Sequence, residues 1–252
     1  MTDAILWTED LTMAFGGHFA VNGVNVSFKP CCFTSIIGPN GAGKTTFFNL
    51  VSGQLVPTRG RIFFKGEDIT RFPVHERARR GLGRCFQITN VFPKLTVLEN
   101  VRLAVQASAG TGFRPLTPVV HFKELEDKAL GVLDTVGLRK KAGSLASTLT
   151  HGEKRKLEIA IVLAMEPEVM LLDEPTAGIS LEEVPAMIEL LQHLREKRDR
   201  TIILVEHKMN MVLSLSDEVI VLFNGCVLAS GAPEQIIRDE RVQTAYLGGG
   251  MA

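Results

Sequence analysis

Nine consecutive residues, Gly38-Pro39-Asn40-Gly41-Ala42-Gly43-Lys44-Thr45-Thr46, have the spacing of a phosphate cradle, G-x-x-x-x-G-K-[ST]. A polyphosphate needs many donors close to its oxygens, and glycine lets the backbone turn tightly enough to aim successive N–H groups inward. Gly38, Gly41 and Gly43 supply that freedom. Lys44 can reach the β- and γ-phosphates of a bound nucleotide, the Thr45 hydroxyl can ligate Mg²⁺, and Thr46 supports the start of the next helix. The plain alternative, a glycine-rich turn with an accidental Lys-Thr, leaves the flanks of the loop without a reason.

Other residues extend the same chemistry. In Leu171-Leu172-Asp173-Glu174 two acids stand where an apolar run ends. Asp173 there would hold Mg²⁺ through its waters, and Glu174 would polarise a water for in-line attack on the γ-phosphate. His207 follows the apolar run Ile202–Val205 by two residues and can contact the γ-phosphate, and Gln87 can position water or metal. Alone, a histidine after a strand is usually structural; these two gain weight from their company. In the stretch from Leu149 to Ala160, Thr150 and Glu153 have the S/T-x-x-E spacing of a capping box ahead of Leu157, Ala160, Ile161 and Ala164. A capped helix start with Gly152 beside it is also an anion site, so Thr150 and Gly152 join the nucleotide-binding candidates. Phe15 can stack on a nucleotide base, against the plainer role of a half-buried strand residue.

Positioning these groups requires strands that end together. The apolar run Phe33–Ile37 predicts a buried strand entering the loop, and Phe47–Val51 a helix leaving it. Val169–Leu172, a helix from Leu181 to about Arg198, and Thr201–Val205 predict parallel strands with a crossover helix. Ligands in such sheets sit at the carboxyl edge of the strands. Upstream, the alternation in Leu11–Phe15 and Val24–Phe28 around Gly16-Gly17 predicts antiparallel strands, and Arg61–Phe64 a hairpin turning at Lys65-Gly66. Val74–Arg80 reads as a short helix, Arg84–Gln87 as a strand end, and Leu95–Ala107 as a helix opened by Thr96 and Glu99 in a second capping box. Phe122, Leu125, Ala129, Leu133 and Val136 keep to one helical face. Glu218–Phe223, Asn224-Gly225 and Cys226–Ala229 predict a hairpin on a type I′ turn. Residues 108–120, with Gly110, Gly112, Pro115 and Pro118, read as a loop or insertion.

The 252 residues, 45% hydrophobic and 22% charged, suffice for a sizeable core. A formal net charge of zero argues against a nucleic-acid partner held by a broad basic surface. Cys31, Cys32, Cys85 and Cys226 show neither C-x-x-C nor Cys/His spacing, which predicts a reduced, cytoplasmic setting. No apolar run approaches a membrane span, so any service to a membrane passes through a partner.

Together these residues resemble the ATP-binding subunit of an ABC transporter. Gly38 to Thr46 matches Walker A, Gln87 the Q-loop, Leu149-Thr150-His151-Gly152-Glu153 the signature, Val169 to Asp173 Walker B with Glu174 after it, and His207 the switch histidine. The resemblance implies an α/β fold, a P-loop NTPase of the ABC ATPase type, with a mixed or parallel core sheet, an N-terminal antiparallel β subdomain and an inserted α-helical subdomain at about residues 88–165. The whole chain, 1–252, would be a single nucleotide-binding domain that binds ATP and Mg²⁺, the metal held by Thr45, Gln87 and Asp173. It also implies an ATP sandwich, in which the signature helix of one subunit caps the γ-phosphate held by another subunit's P-loop. Four positions depart from the family's pattern. Thr150 keeps the usual hydroxyl, and His151 and Glu153 replace Gly and Gln, so the Glu153 carboxylate must turn back onto its helix cap to stay clear of phosphate. Ser180 stands where Asp is commonest.

Phe15–Val21, Thr96–Val101, Leu157–Ala160 and Ala245–Gly249 resemble the branched-chain amino acid importer ATPases, with urea-type importers sharing much of the pattern. The insertion points to the longer of two paired subunits. The implied partners are transmembrane permease subunits, touched through residues 88–94, a second ATP-binding subunit, and indirectly a substrate-binding protein. The implied location is the inner face of the plasma membrane. A soluble ABC ATPase acting on DNA or ribosomes is the competing class; it would usually carry two cassettes or a long coiled coil, and this chain has one P-loop and no heptad run. A P-loop kinase or GTPase would not need the helix start at Leu149 to Glu153.

Overall fold

The computed structural model describes residues 3–85, 90–109 and 119–247. The N-terminal strands are β1 (Leu6–Phe15), β2 (His18–Val24) and the short β3 (Ser27–Phe28). The turn at Gly16-Gly17 pairs β1 with β2 antiparallel, so the second strand starts at His18 rather than at Val24 as the alternation suggested; Val24 ends it. Next come β4 (Phe33–Ile37) and α1 (Lys44–Val51), the strand and helix that bracket the phosphate loop. β5 (Arg59–Phe64) and β6 (Glu67–Asp68) form the expected hairpin, followed by α2 (Val74–Arg79) and β7 (Leu82–Cys85).

The middle of the described chain is helical: α3 (Val97–Ser108), α4 (Val119–Thr135) and α5 (His151–Leu163). Both predicted capping boxes form, Thr96 with Glu99 on α3 and Thr150 with Glu153 on α5. Strands then alternate with helices through β8 (Val169–Asp173), α6 (Val184–Glu196), β9 (Thr201–Val205), α7 (Met209–Leu215) and β10 (Glu218–Phe223). The C-terminal part is β11 (Cys226–Gly231), α8 (Pro233–Arg238) and α9 (Glu240–Leu247). Asn224 and Gly225 both take positive φ between β10 and β11, as a type I′ turn requires.

Among the described residues the strands make two sheets. One is antiparallel, in the order β2-β1-β5-β6 with β3 on β1. The other runs β11-β10-β4-β9-β8-β7, parallel from β10 to β7 with β11 as an antiparallel edge. Its central strands are buried on both faces, which is why they are apolar throughout rather than alternating. Met170, Leu172, Ile202 and Leu204 pack under α3, α4 and α5 with Leu125, Ala129, Leu133 and Leu157. Val169, Leu171, Ile203 and Val205 point the other way, onto Phe47, Phe48 and Leu50 of α1 and the antiparallel sheet. α1 is thereby clamped between two sheets, and the loop before it is clamped with it. Among the described residues, no helix is long and apolar enough to cross a membrane.

Candidate nucleotide-binding site

Three neighbouring strands end at one edge of the parallel sheet. β4 feeds residues 38–43, β9 beside it feeds Glu206-His207, and β8 beside β9 ends on Asp173-Glu174. Because β9 lies between the other two, His207 emerges between the phosphate loop and the acids. A cavity of about 340 Å³ there is lined by Phe15, Asn40, Gly41, Ala42, Gly43, Lys44, Thr45, Thr46, Glu174 and His207, with His18 and Ala20. Gly38 and Pro39 instead line a larger neighbouring cavity of about 1120 Å³, whose far wall is α9. Burial pushes the phenol pKa of Tyr246 on α9 up to about 12, which the nearby Gly38 backbone opposes.

α1 begins on Gly43 at φ 99°, and no side chain caps it. Its first-turn N–H groups are thereby left to an anion. A Cβ on Gly43 would sit 2.2 Å from the Ala20 carbonyl oxygen, so only glycine lets the loop lie against β2. The Lys44 ammonium, nearly buried, donates to the carbonyls of Gly38 at 2.7 Å and Pro39 at 2.9 Å. Burial lowers its pKa, and Glu174 and Asp173 oppose that.

Glu174 takes φ 45°, a left-handed conformation unusual for a side chain of this size. Its N–H donates to the Val205 carbonyl at 3.0 Å, and its Oε1 lies 2.7 Å from His207 Nε2. Behind the histidine, buried Glu206 accepts from the His207 backbone N–H at 2.8 Å and from the Thr176 hydroxyl. Asp173 is 3% exposed and is not part of the cavity lining. Its Oδ2 accepts from Arg84 Nη2 at 2.9 Å; burial raises its pKa and Arg84 opposes this. Arg84 also donates to Asn49 Oδ1 at 2.8 Å and Ser52 Oγ at 2.7 Å, tying the end of β8 to α1. The Thr45 hydroxyl and Asp173 carboxylate are hard oxygen donors, a set that suits Mg²⁺, which takes one or two carboxylates and completes its shell with water and phosphate. Gln87, with its neighbours 86–89, lies outside the described residues.

Thr150 and Gly152 do not line this cavity; they stand at the start of α5. Glu153 does turn back as its spacing requires: Oε2 accepts the Thr150 N–H at 3.1 Å and Oε1 pairs with Lys141 Nζ at 2.5 Å. Its pKa is lowered, because these bonds outweigh its partial burial. A different acid occupies the anion end of this helix. Glu183 Oε1 accepts the Thr150 hydroxyl at 2.6 Å, and this bond, with Ser180 and the nearby Gly152 backbone, keeps its pKa low. Ser180 donates its hydroxyl to Glu183 Oε2 at 3.2 Å. A Cβ on Gly152 would lie 2.7 Å from the Glu183 carboxyl carbon, so the close approach needs glycine.

Four residues of this arrangement escape a reading by motif: Arg84, Arg155, Glu183 and Glu206. Arg155 of α5 is 1% exposed and donates from Nη2 to the carbonyls of Asp173 at 3.0 Å and Glu174 at 3.1 Å, while Nη1 pairs with Glu158 at 2.7 Å. Glu206 had a usable signal, an acid between a buried strand and the histidine. The others form their contacts at separations of 89, 19 and 33 residues.

A P-loop opening an uncapped helix, with acids and a histidine from adjacent strand ends, defines an ATPase of the P-loop class. A family model described as "ABC transporter" matches residues 21–177, and one described as "Branched-chain amino acid ATP-binding cassette transporter" matches residues 226–252. The chain belongs to the ABC transporter family, as its ATP-binding, ATP-hydrolysing subunit. It is 40% identical to the high-affinity branched-chain amino acid transport ATP-binding protein LivG of Escherichia coli, over 98% of this chain and 99% of that one. It is 41% identical to the protein BraF of Pseudomonas aeruginosa, of the same description, over the same shares. Among solved structures it resembles the ADP conformation of an ATP-binding cassette of an ABC transporter, with TM-score 0.82 and 29% identity over 98% of this chain and all of that one. A dimeric ATP-binding cassette bound to ADP and Pi superposes with TM-score 0.76 at 26% identity, over 90% of this chain and 98% of that one.

Proposed function

We propose that this chain is the ATPase of a branched-chain amino acid importer, working at the inner face of the plasma membrane against permease subunits and beside a second ATP-binding subunit. The observation that carries the cargo class is the C-terminal match at residues 226–252, a segment whose α9 packs against the P-loop itself. We take residues 1–252 as one nucleotide-binding domain, with about 88–165 as its helical subdomain.

ATP would lie with its base on Phe15, half exposed beside the cavity, and its phosphates in residues 38–46 against Lys44 and the start of α1. Mg²⁺, when bound, would screen the phosphate charge from the side of Thr45 and Asp173, with Gln87 as a further ligand. Glu174 would take a proton from the attacking water, and His207 holds that carboxylate in place at 2.7 Å. Thr150 and Gly152 of another subunit would complete the γ-phosphate site, which requires the Glu183 carboxylate to release them first. That makes each P-loop half of a site.

The test is turnover of the chain co-purified with its permease. ATPase activity should rise when a binding protein loaded with leucine, isoleucine or valine is added. Stimulation by a urea-loaded binding protein instead would move the cargo to the urea and amide class, and indifference to permease and binding protein alike would point to a non-transport ATPase. Glu174→Gln should keep ATP binding and lose turnover by about a thousandfold, the scale of removing a general base. Unchanged turnover would remove Glu174 from that role.

A further inference from the structure

Within one subunit, the signature helix and the Walker B acids serve different nucleotides if the sandwich reading holds, on which the following rests. The structure joins them through the side chain of Arg155. Arg155 sits about one and a half helical turns behind Thr150 on α5. It is buried, paired with Glu158 on its own helix, and it also reaches the carbonyls of Asp173 and Glu174. Those two carbonyls flank the point where the chain leaves β8 and turns into the left-handed φ of Glu174. A residue in that region, followed here by Pro175, holds its conformation only when the surroundings over-determine it. Among the described residues its backbone is held by three hydrogen bonds besides that to Asp173: Glu174 N–H to Val205, Ala177 N–H to the Glu174 carbonyl at 2.9 Å, and Arg155 Nη2 to the same carbonyl. Two of these come from the sheet and the turn itself. Only the arginine comes from α5.

We propose that Arg155 is a positioning residue, which sets the backbone of Glu174 from the signature helix and so links the docking of α5 on one nucleotide to the carboxylate serving the other. A guanidinium fits this task because its planar fork holds Glu158 and two carbonyls at once, which the single point of a lysine ammonium does not. A shift of α5 by a fraction of a hydrogen-bond length is then felt where Glu174 turns. Misplacing a reacting group by about 1 Å costs on the order of a hundredfold in rate.

The experiment compares full-length wild-type chain with Arg155→Lys and with the double variant Arg155→Met/Glu158→Leu, which replaces the buried pair by apolar side chains and so avoids an orphaned charge. Arg155→Lys should lose about tenfold in kcat and the double variant about a hundredfold, with KM and equilibrium ATP affinity within about twofold. The melting temperature of each checks the fold, and Arg155→Lys keeps its charge should the double variant be unstable. Thr150→Ala combined with Arg155→Lys should fall little further in kcat than the worse single variant, because both act along one route. Wild-type kcat in Arg155→Lys, a loss confined to KM, or additive effects with Thr150→Ala would each overturn the linkage. Glu174→Gln measured in parallel separates two failures: if it too turns over normally, the base assignment falls and the linkage with it, whereas if only the Arg155 variants do, the linkage alone is wrong.

Discussion

Two helices, α1 and α5, have N-termini of the kind that can take an anion, and the chain prepares them differently. α1 opens on a bare glycine with no side-chain cap, a buried lysine over the entry of its loop, and main-chain N–H groups unclaimed by any cap. α5 opens on a complete capping box, and its Thr150 hydroxyl is engaged by the chain's own Glu183, which lies against Gly152. The first is left open at its N-terminus; the second already holds an internal carboxylate. A helix terminus in water is easily solvated, so what decides whether it receives a ligand is which local groups compete for its donors.

The sharpest way to break the contrast is at the open end. Gly43→Ala places a methyl where the Ala20 carbonyl sits and forces an unfavourable φ. It should cost on the order of 3 kcal/mol in stability and abolish measurable ATP binding, by thermal melting and equilibrium titration. Lys44→Ala leaves the loop intact and removes its cation, so ATP affinity should fall by about ten- to a hundredfold, the value of a hydrogen bond to a charged group. A change below threefold would mean that the main-chain N–H groups alone hold the phosphates.

At the closed end the effects are smaller and opposite in sign. Glu183→Gln removes the internal anion from α5 and should lower the ATP concentration for half-maximal turnover by about threefold. An increase would mean that Glu183 supports the bound arrangement instead of opposing it. The smallest test uses the other capped helix as its control: Thr96→Ala and Thr150→Ala should each cost about 1 kcal/mol of stability. Only Thr150→Ala should also reduce kcat, because Thr96 bonds Glu99 within its own cap while Thr150 faces Glu183 across the fold.

The parts legible in the sequence are those built from near neighbours. The loop 38–46, both capping boxes, the apolar strands β4, β8 and β9, and the I′ turn at Asn224-Gly225 depend on φ preferences and periodicity over a few residues, and each formed where expected. The N-terminal hairpin was displaced because alternation in a short strand does not say which stretch follows the turn; the glycine pair does. Arg155 and Glu158 stand three residues apart on α5, and only the packing of α5 against the end of β8 made them a buried bridge.

The residues by themselves determined which groups are available to this protein: a glycine-rich loop with its lysine, two acids at a strand end and a histidine, each with its local backbone. The tertiary structure decided their company. Strand order, which no local pattern encodes, put β9 between β4 and β8 and so set His207 against Glu174. Long-range packing, worth its loop-closure entropy only once the whole core forms, brought Arg84 to Asp173, Arg155 to the Glu174 turn and Glu183 to the start of α5.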